Sequence, residues 1–366
     1  VTLRKKIADM HGKRRACDIR TAVLINSLLF GGSESYGLVV SEKLRDLGFD
    51  LIITGPVKDV YGSGTKKIND WLEEHHFPPL TQIEYGTAAY QLFSQIPDEN
   101  EAIHSSRDLE KWFEKETIDL IFCSGFIAEP AIADSSHRIV YMALFPPWGY
   151  NLANMTFLKN KISGLFSDTR WGLDFWRTWF PSPSEVTPSL IDREYIHVLN
   201  KELPKKQNTL AVMGTVIHTK RQREAILALR QLIMEGCDLQ LNIYGHLLDV
   251  YKSYIDELME LSKDPLLIGR VKFHDFVADP HQVARENHII LSTSIAEGLP
   301  QALILNQASG LLPVACPAGG IPEVVIDGET GFLADGFEVE HIVIALRRAF
   351  HKQDDWARLV NNGRKL

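Results

Sequence analysis

Short apolar runs alternate with helix-like segments along most of the chain. Runs without internal charges are typical of strands buried on both faces of a parallel sheet, where helices form the crossovers. In the first half such strands are predicted at Thr21–Asn26, Leu51–Thr54, Ile118–Ser124 and Arg138–Leu144. The rhythm stops at Phe145–Tyr150, where two consecutive prolines are incompatible with a strand interior.

A second and more regular series begins at Thr209. Its predicted strands and helices are Leu210–Met213, Arg221–Glu235, Leu239–Tyr244, Asp249–Leu261, Val271–Phe276 and His288–Leu291. Between the two series, Trp171–Arg193 holds three prolines among Ser and Thr, which predicts a connector. The sequence thus predicts an α/β protein with two similar domains, 21–190 and 191–366. Ligands of such sheets bind at the carboxyl ends of the strands, so the predicted site is a cleft between the domains.

The composition favours a globular protein and argues against several other classes. Of 366 residues, 45% are hydrophobic and 23% are charged, which is typical of globular proteins. The net charge of −8 argues against a general nucleic-acid binder. Neither a bilayer-spanning stretch nor a secretory h-region is present, so we expect a cytoplasmic protein. The four cysteines lack metal-ligand spacing, which predicts free thiols and no metal site.

Residues 1–20 form a basic N-terminal segment. Its basic side chains are opposed only by Asp9 and Asp18. Two interpretations remain open: peripheral contact with an anionic membrane, at its inner face, or a solvated helix. The chain begins with Val1, which is compatible with a module of a larger protein.

The most informative segment starts at Glu297, directly after a predicted strand. Gly298 allows a tight turn, Leu299 follows, and Pro300 suits the first turn of a helix. The first amides of that helix, at Gln301 and Ala302, would then form an anion site. A carboxylate next to such a site repels phosphate, but it suits the hydroxyl groups of a sugar attached to a diphosphate.

Glu297–Ala302 and the later Gly319-Gly320-Ile-Pro-Glu323 and Asp327-Gly-Glu-Thr-Gly331 resemble the donor-binding segment of family 4 glycosyltransferases. The resemblance implies the GT-B fold, with two Rossmann-like domains that face each other across a cleft, an acceptor domain first and a donor domain second. It also implies retaining, metal-independent sugar transfer from a nucleoside diphosphate sugar, without a cofactor. Glu297 is the implied catalytic residue that orients the donor sugar. For Asp327–Gly331 we expect only a turn-building role.

One position departs from the family pattern. The second glutamate of the E-x7-E motif, which usually holds the nucleotide ribose, is replaced by Leu305. Asn306 is adjacent and is a candidate substitute, although one residue along a helix turns a side chain by about 100°. A donor with fewer ribose hydroxyls, such as a deoxythymidine nucleotide, would tolerate the loss best.

Val212–Gln222 is similar to the family's diphosphate loop. Gly214 and Thr215 occupy its start, and Thr215 stands where the family often has Arg. Lys220 matches the family's basic position and is the second implied catalytic residue, while Arg221 is a candidate replacement for the missing Arg. The alternative is that both cations are solvated at a helix start. Phe276 matches the position behind the donor base, and a core phenylalanine is an equal alternative.

In the first domain, Gly31 and Gly32 resemble the family's glycine-rich loop between the first strand and the first helix, where a donor would approach the backbone. The alternative is that this segment only starts the helix, with Ser33 as its cap. The histidine that the family often carries near the reacting sugar is missing from Met142–Trp148. Four tryptophans suit sugar stacking, a membrane interface or a core, and all three interpretations remain open. They are Trp148, Trp171, Trp176 and Trp179.

We therefore predict a retaining hexosyltransferase of polysaccharide biosynthesis, which acts on a glycan or lipid-linked glycan. The alternative is a non-catalytic GT-B protein that acts as a scaffold or activator of a partner glycosyltransferase. Leu305, Thr215 and the missing histidine favour that alternative, whereas Glu297 and Lys220 favour the enzyme. We also expect the family's final crossover helix to be absent, because the chain stops at Leu366.

Overall fold

The computed structural model describes residues 15–25, 32–56, 64–83, 109–124, 137–143, 161–187, 208–277 and 279–366. The chain divides into two compact units, Val1–Leu190 and Ile191–Leu366. Each unit is built on one parallel β-sheet. Within the described residues, no helix combines the length and the apolar character needed to cross a bilayer.

The first unit contains a seven-stranded sheet in the order β3-β2-β1-β4-β5-β6-β7. Its strands are β1 Arg20–Leu24, β2 Asp50–Pro56, β3 Thr81–Ile83, β4 Leu120–Ser124, β5 Arg138–Ala143, β6 Ile162–Ser167 and β7 Ser184–Val186. Its helices are α1 Gly32–Asp46, α2 Gly64–Glu74, α3 109–115 and α4 Arg170–Arg177. The reversal of strand order beside β1 is that of a doubly wound Rossmann-like fold.

Both faces of this sheet are buried, as the continuous apolar runs predict. In β1, Ala22 and Leu24 face one core cluster, whereas Val23 faces the other. Trp176 of α4 is fully buried in the first cluster and stacks on Phe180, with ring centroids 5.7 Å apart. A core role therefore applies to Trp176, since a buried ring cannot stack on a ligand.

The prediction that Trp171–Arg193 is a connector is wrong over its described part. Helix α4 starts there because the Thr169 side chain caps it by accepting from the Gly172 amide at 2.9 Å. Strand β7 then pairs in parallel with β6 at the edge of the sheet. Pro181 and Pro183 fall in the turn between helix and strand, where the lack of an amide costs nothing.

The second unit contains a six-stranded sheet in the order β10-β9-β8-β11-β12-β13. Its strands are β8 Thr209–Met213, β9 Gln240–Tyr244, β10 Val271–His274, β11 Ile289–Ser292, β12 Leu312–Ala315 and β13 Phe332–Leu333. Its helices are α5 Gln222–Met234, α6 Lys252–Leu261, α7 Pro280–Glu286, α8 Gln301–Ala308, α9 Ile321–Val324, α10 Val339–His351 and α11 Trp356–Gly363.

Two core clusters cover the faces of the second sheet. Leu210 and Val212 of β8 pack in one cluster with residues of α5 and α10, while Ala211 packs in the other with residues of α7 and α8. The final helix α11 also packs in this unit, with Trp356 buried. None of the four cysteines, all of which lie in described residues, forms a disulfide, and Cys123 and Cys316 are buried.

Candidate active site

Two chain segments meet at the carboxyl edge of the second sheet. Strands β8 and β11 are parallel neighbours, with Leu210 paired to Ile289. Because parallel neighbours end at the same edge, the loop after β8 and the loop after β11 lie side by side. These are the loops that contain Lys220 and Glu297.

Lys220 and Glu297 form a direct ion pair. The Lys220 Nζ lies 2.6 Å from Glu297 Oε1, and the two side chains are 26% and 7% exposed. A carboxylate this deeply buried needs a partner, since an unpaired buried charge is strongly unfavourable. The structure therefore brings together the two residues predicted to be catalytic.

The Lys220 side chain lies against a glycine. Gly214 directly follows β8 with φ +145°, and a Cβ added to it would lie 3.6 Å from Lys220 Cε. Behind Gly214, a Cβ on Gly245 would lie 1.9 Å from the Gly214 carbonyl oxygen. These two glycines allow the ends of β8 and β9 to approach closely beneath the lysine.

The turn that carries Lys220 is held by the segment after β11. Residues His218–Lys220 form a 3₁₀ turn, and Arg221 follows with φ 53° and ψ 45°. The left-handed conformation costs a non-glycine residue about 1 kcal/mol. The Thr293 hydroxyl shares its one proton between the carbonyls of Lys220 and Arg221, at 2.8 and 2.9 Å. The Ile295 amide also donates to the Thr219 carbonyl at 3.0 Å.

Helix α8 begins directly after Glu297 and its turn. Pro300 is the N-cap and Gln301 and Ala302 are the first helical residues, so their amides lie where a helix favours an anion. The expected helix start is therefore displaced by one residue, with Pro300 before the first turn rather than in it.

Gly319 and Gly320 support Glu297 from behind. A Cβ on Gly319, which has φ +53°, would lie 1.7 Å from the Glu297 carbonyl oxygen. The Gly320 amide donates to the Gly298 carbonyl at 2.9 Å. Only glycine permits this backbone contact at 319, which explains the Gly-Gly pair in physical terms.

The comparisons with known proteins agree with this geometry. Residues 198–366 match the model of the family described as Glycosyl transferases group 1. This part of the chain is similar to group 1 glycosyltransferases. No curated protein sequence matches the chain.

Solved structures match over both units. The Anabaena Alr3699/HepE complex with UDP-glucose has a TM-score of 0.74 at 18% identity, with 95% of this chain and 94% of that chain covered. Sucrose-phosphate synthase of Thermosynechococcus elongatus has a TM-score of 0.73 at 15% identity, with 95% and 93% covered. A mutant of S. aureus TarM in complex with fondaparinux, alpha-GlcNAc-glycerol and UDP has a TM-score of 0.70 at 12% identity, with 95% of each chain covered. The predicted GT-B fold and the resemblance to group 1 glycosyltransferases are confirmed.

Two predicted donor contacts have partners within the protein. Arg221 pairs with Glu224 at 3.2 Å, and its side chain is only 17% exposed. The Asn306 side chain is fully buried and its Nδ2 donates to the Ala302 carbonyl at 2.7 Å. Donor binding by these two residues stays a prediction. Leu305 is only partly buried.

Phe276 is half-buried at the end of β10 and stacks on His246, with ring centroids 4.6 Å apart and an interplanar angle of 8°. Directly behind this pair, Tyr244 and His274 stack at 4.5 Å. Sequence reasoning missed His246. No local signal in the sequence could have found it, because the stacking depends on β9 and β10 being neighbours in the sheet.

Residues Asp327–Gly331 form a turn, as predicted. The Thr330 hydroxyl accepts from the Ile326 amide at 2.8 Å and donates to the Val324 carbonyl at 3.0 Å. Gly328 has φ +72°. The Thr215 carbonyl accepts from Gln222 Nε2 at 3.1 Å.

The predicted residues of the first unit are only partly described. Gly32 is the first residue of α1, while Gly31 lies outside the described residues. Trp148 and residues 144–150 also lie outside them, so the region that lacks the family histidine is not placed. His137 is at the start of β5 and pairs with Glu110 at 3.2 Å. Within the described ranges no cluster of three metal-ligating side chains occurs.

Proposed function

We propose that this protein is a glycosyltransferase that transfers a sugar from a nucleoside diphosphate sugar to a glycan or a lipid-linked glycan. We propose further that it retains the anomeric configuration and needs no metal. The observation that carries the proposal is the buried Lys220–Glu297 ion pair beside the first turn of α8. HepE in complex with UDP-glucose and the TarM mutant in complex with UDP share the fold, which is consistent with such a donor.

Lys220 and Glu297 bind different parts of the donor on this proposal, because their charges are opposite. The Lys220 ammonium has three donors, so it can keep Glu297 and also bind a phosphate oxygen. The amides at the start of α8 add a positive partial charge for the same diphosphate. Glu297 accepts hydrogen bonds, which suits it to the sugar hydroxyls on the far side of the diphosphate.

Catalysis on this proposal is electrostatic. As the bond between sugar and diphosphate breaks, negative charge develops on the leaving oxygen. A fixed ammonium and fixed helix amides stabilise that charge without reorganising at the moment of reaction. Glu297 is a positioning partner for both the ammonium and the sugar, and no protein nucleophile is required.

Calorimetric titration with UDP, GDP, ADP and dTDP tests the donor site, with Mg²⁺ or with EDTA. We expect one nucleotide to bind, independently of metal, and K220A to bind it about tenfold or more weakly. The matched control is K263A, because Lys263 pairs with Glu260 at the same 2.6 Å but both side chains are more than 70% exposed. If none of the four nucleotides binds the unaltered protein, the proposal is wrong.

A second measurement separates an enzyme from a scaffold. The release of free nucleoside diphosphate from the matching nucleotide sugar should fall strongly in E297Q, whereas nucleotide binding should persist. NMR of the released sugar shows which anomer forms first, and the α-anomer from an α-donor is expected. Tight nucleotide binding without any turnover would favour the non-catalytic alternative.

The location and the basic segment remain predictions. Residues 1–14 lie outside the described part of the chain, and Arg15 pairs with Asp18 on the surface at 3.2 Å. We propose a cytoplasmic enzyme of polysaccharide biosynthesis. For the basic segment, contact with an anionic membrane and a solvated helix remain the two alternatives, and Arg20 belongs to β1 rather than to that segment. Sedimentation with anionic and with neutral vesicles tests that contact.

A further inference from the structure

We propose that Thr293 is a positioning residue for diphosphate binding, because its buried hydroxyl fixes the backbone that orients Lys220. The proposal rests on the proposed function, since it assumes that Lys220 binds the donor diphosphate. Thr293 is 1% exposed and follows β11 directly. It therefore acts through Lys220 and not by touching the donor.

The two carbonyls that share the Thr293 hydroxyl lie on either side of one residue, Arg221. The carbonyl of Lys220 belongs to the peptide plane before the Arg221 Cα, and the carbonyl of Arg221 belongs to the plane after it. Since peptide units are planar, holding both planes fixes φ and ψ of the residue between them. That residue has the left-handed conformation that a non-glycine residue rarely adopts.

The backbone of Lys220 is fixed in the same way. The Ile295 amide holds the Thr219 carbonyl, which lies in the plane before the Lys220 Cα. The Thr293 hydroxyl holds the plane after it. Both contacts come from the segment that leads to Glu297, so the lysine and its carboxylate partner share one support.

Loss of the hydroxyl should therefore weaken one part of donor recognition. The Arg221 turn would be free to relax towards a right-handed conformation, and the Lys220 ammonium would lose its fixed approach to the diphosphate. The nucleoside part of the donor does not depend on this turn. A residue that only contributes to stability would affect both parts equally or neither.

The test compares T293V, which keeps the shape, with T293S, which keeps the hydroxyl. The matched control is T209V, because the Thr209 hydroxyl also contacts a carbonyl and a second partner, at the opposite end of the sheet. Calorimetry uses whichever of UDP, GDP, ADP and dTDP binds the unaltered protein most tightly, and the corresponding nucleoside. Circular dichroism first verifies that each variant is folded.

We expect T293V to bind the diphosphate about tenfold more weakly with unchanged nucleoside affinity, and T293S and T209V to bind like the unaltered protein. In K220A, the further change T293V should have almost no effect, since the two act through one contact. Normal diphosphate affinity in T293V, equal loss for nucleoside and diphosphate, failure of T293S to restore binding, or full additivity with K220A would each overturn the inference. If the unaltered protein binds no nucleotide, the proposed function itself fails, and the role of Thr293 fails with it.

Discussion

Lys220 and Glu297 are separated by 77 residues in the sequence, yet their side chains make a 2.6 Å charge-assisted hydrogen bond. The pair joins the loop after β8 to the loop after β11. The Glu297 carboxylate is almost completely buried, and it pairs with this ammonium. The same contact therefore governs both stability and the proposed chemistry.

Removal of one partner should destabilise the second unit. K220M leaves the Glu297 carboxylate buried without its cation, and we expect a loss of about 2 kcal/mol. Thermal unfolding should show a decrease of about 4–8 °C for a unit of this size. In the double variant K220M/E297Q most of this loss should disappear, since no charge remains buried. Additive losses in the double variant would contradict this account.

Alanine at position 319 should be far more harmful than alanine at another left-handed glycine. In G319A the new Cβ would clash with the backbone oxygen of Glu297, and we expect a loss of about 3 kcal/mol or more together with weaker nucleotide binding. Gly269 has φ +76° and open space around its Cβ position, so G269A should cost only about 1–2 kcal/mol. Urea unfolding measures both. Equal losses in the two variants would show that the clash is unimportant.

Acid should destabilise the second unit through His288. Burial lowers the pKa of His288 below its ordinary 6.5, because the charged imidazolium loses hydration. The unfolded chain then binds more protons than the folded one, so stability is lost as the pH falls through 6.5 towards the folded value. A single group changes the free energy of unfolding by at most about 1.4 kcal/mol per pH unit. H288N should reduce the slope of stability between pH 7 and pH 5.5, whereas H351N, at an exposed histidine, should not.

Trp176 should matter for stability of the first unit and not for ligands. Its ring is fully buried against Phe180 and Tyr141, so W176A should cost about 3–5 kcal/mol. W179A should cost less, because Trp179 is only partly buried. Urea unfolding followed by the first unit's near-UV signal compares them. A W176A protein of normal stability would contradict the core assignment.

Leu305 should decide how strongly the ribose is recognised. On the proposed function, L305E returns a carboxylate to the position where the family motif has one. In L305E we expect the affinity for UDP, relative to that for 2′-deoxy-UDP, to rise about tenfold, because a carboxylate accepts hydrogen bonds from the additional hydroxyl. L305Q is the matched control for charge. An unchanged ratio of the two affinities would exclude a ribose contact at this position.

Most of the fold was predictable from the sequence, because uninterrupted apolar runs and helical periodicity are local signals. The ends of the four strands predicted in the second unit agree with the structure to within about two residues, whereas β12 and β13 were not predicted. Helix α4 contradicts the predicted connector, because the prolines that predict the connector follow the helix and do not interrupt it. The spacing of Thr169 and Gly172 was the signal that could have located its start.

The site was predictable in its residue types but not in its contacts. Both Lys220 and Glu297 could be selected from motifs, yet their pairing depends on β8 and β11 being neighbours, which no local pattern specifies. The ion pair between Arg221 and Glu224 could have been predicted from the sequence, since opposite charges three residues apart at a helix start lie close together. The stacking of His246 on Phe276 depends on strand order and was not readable from either residue alone.

The contact between Gly298 and Gly320 also limits how this chain can change length. Its 2.9 Å hydrogen bond closes the intervening α8 and β12 into a loop whose two ends touch. An insertion or deletion inside α8 would rotate every later residue and separate those ends. Insertions are therefore tolerated better at the exposed Gly269, outside the closed loop and with open space around it, where a library of inserted peptides should leave the domain intact.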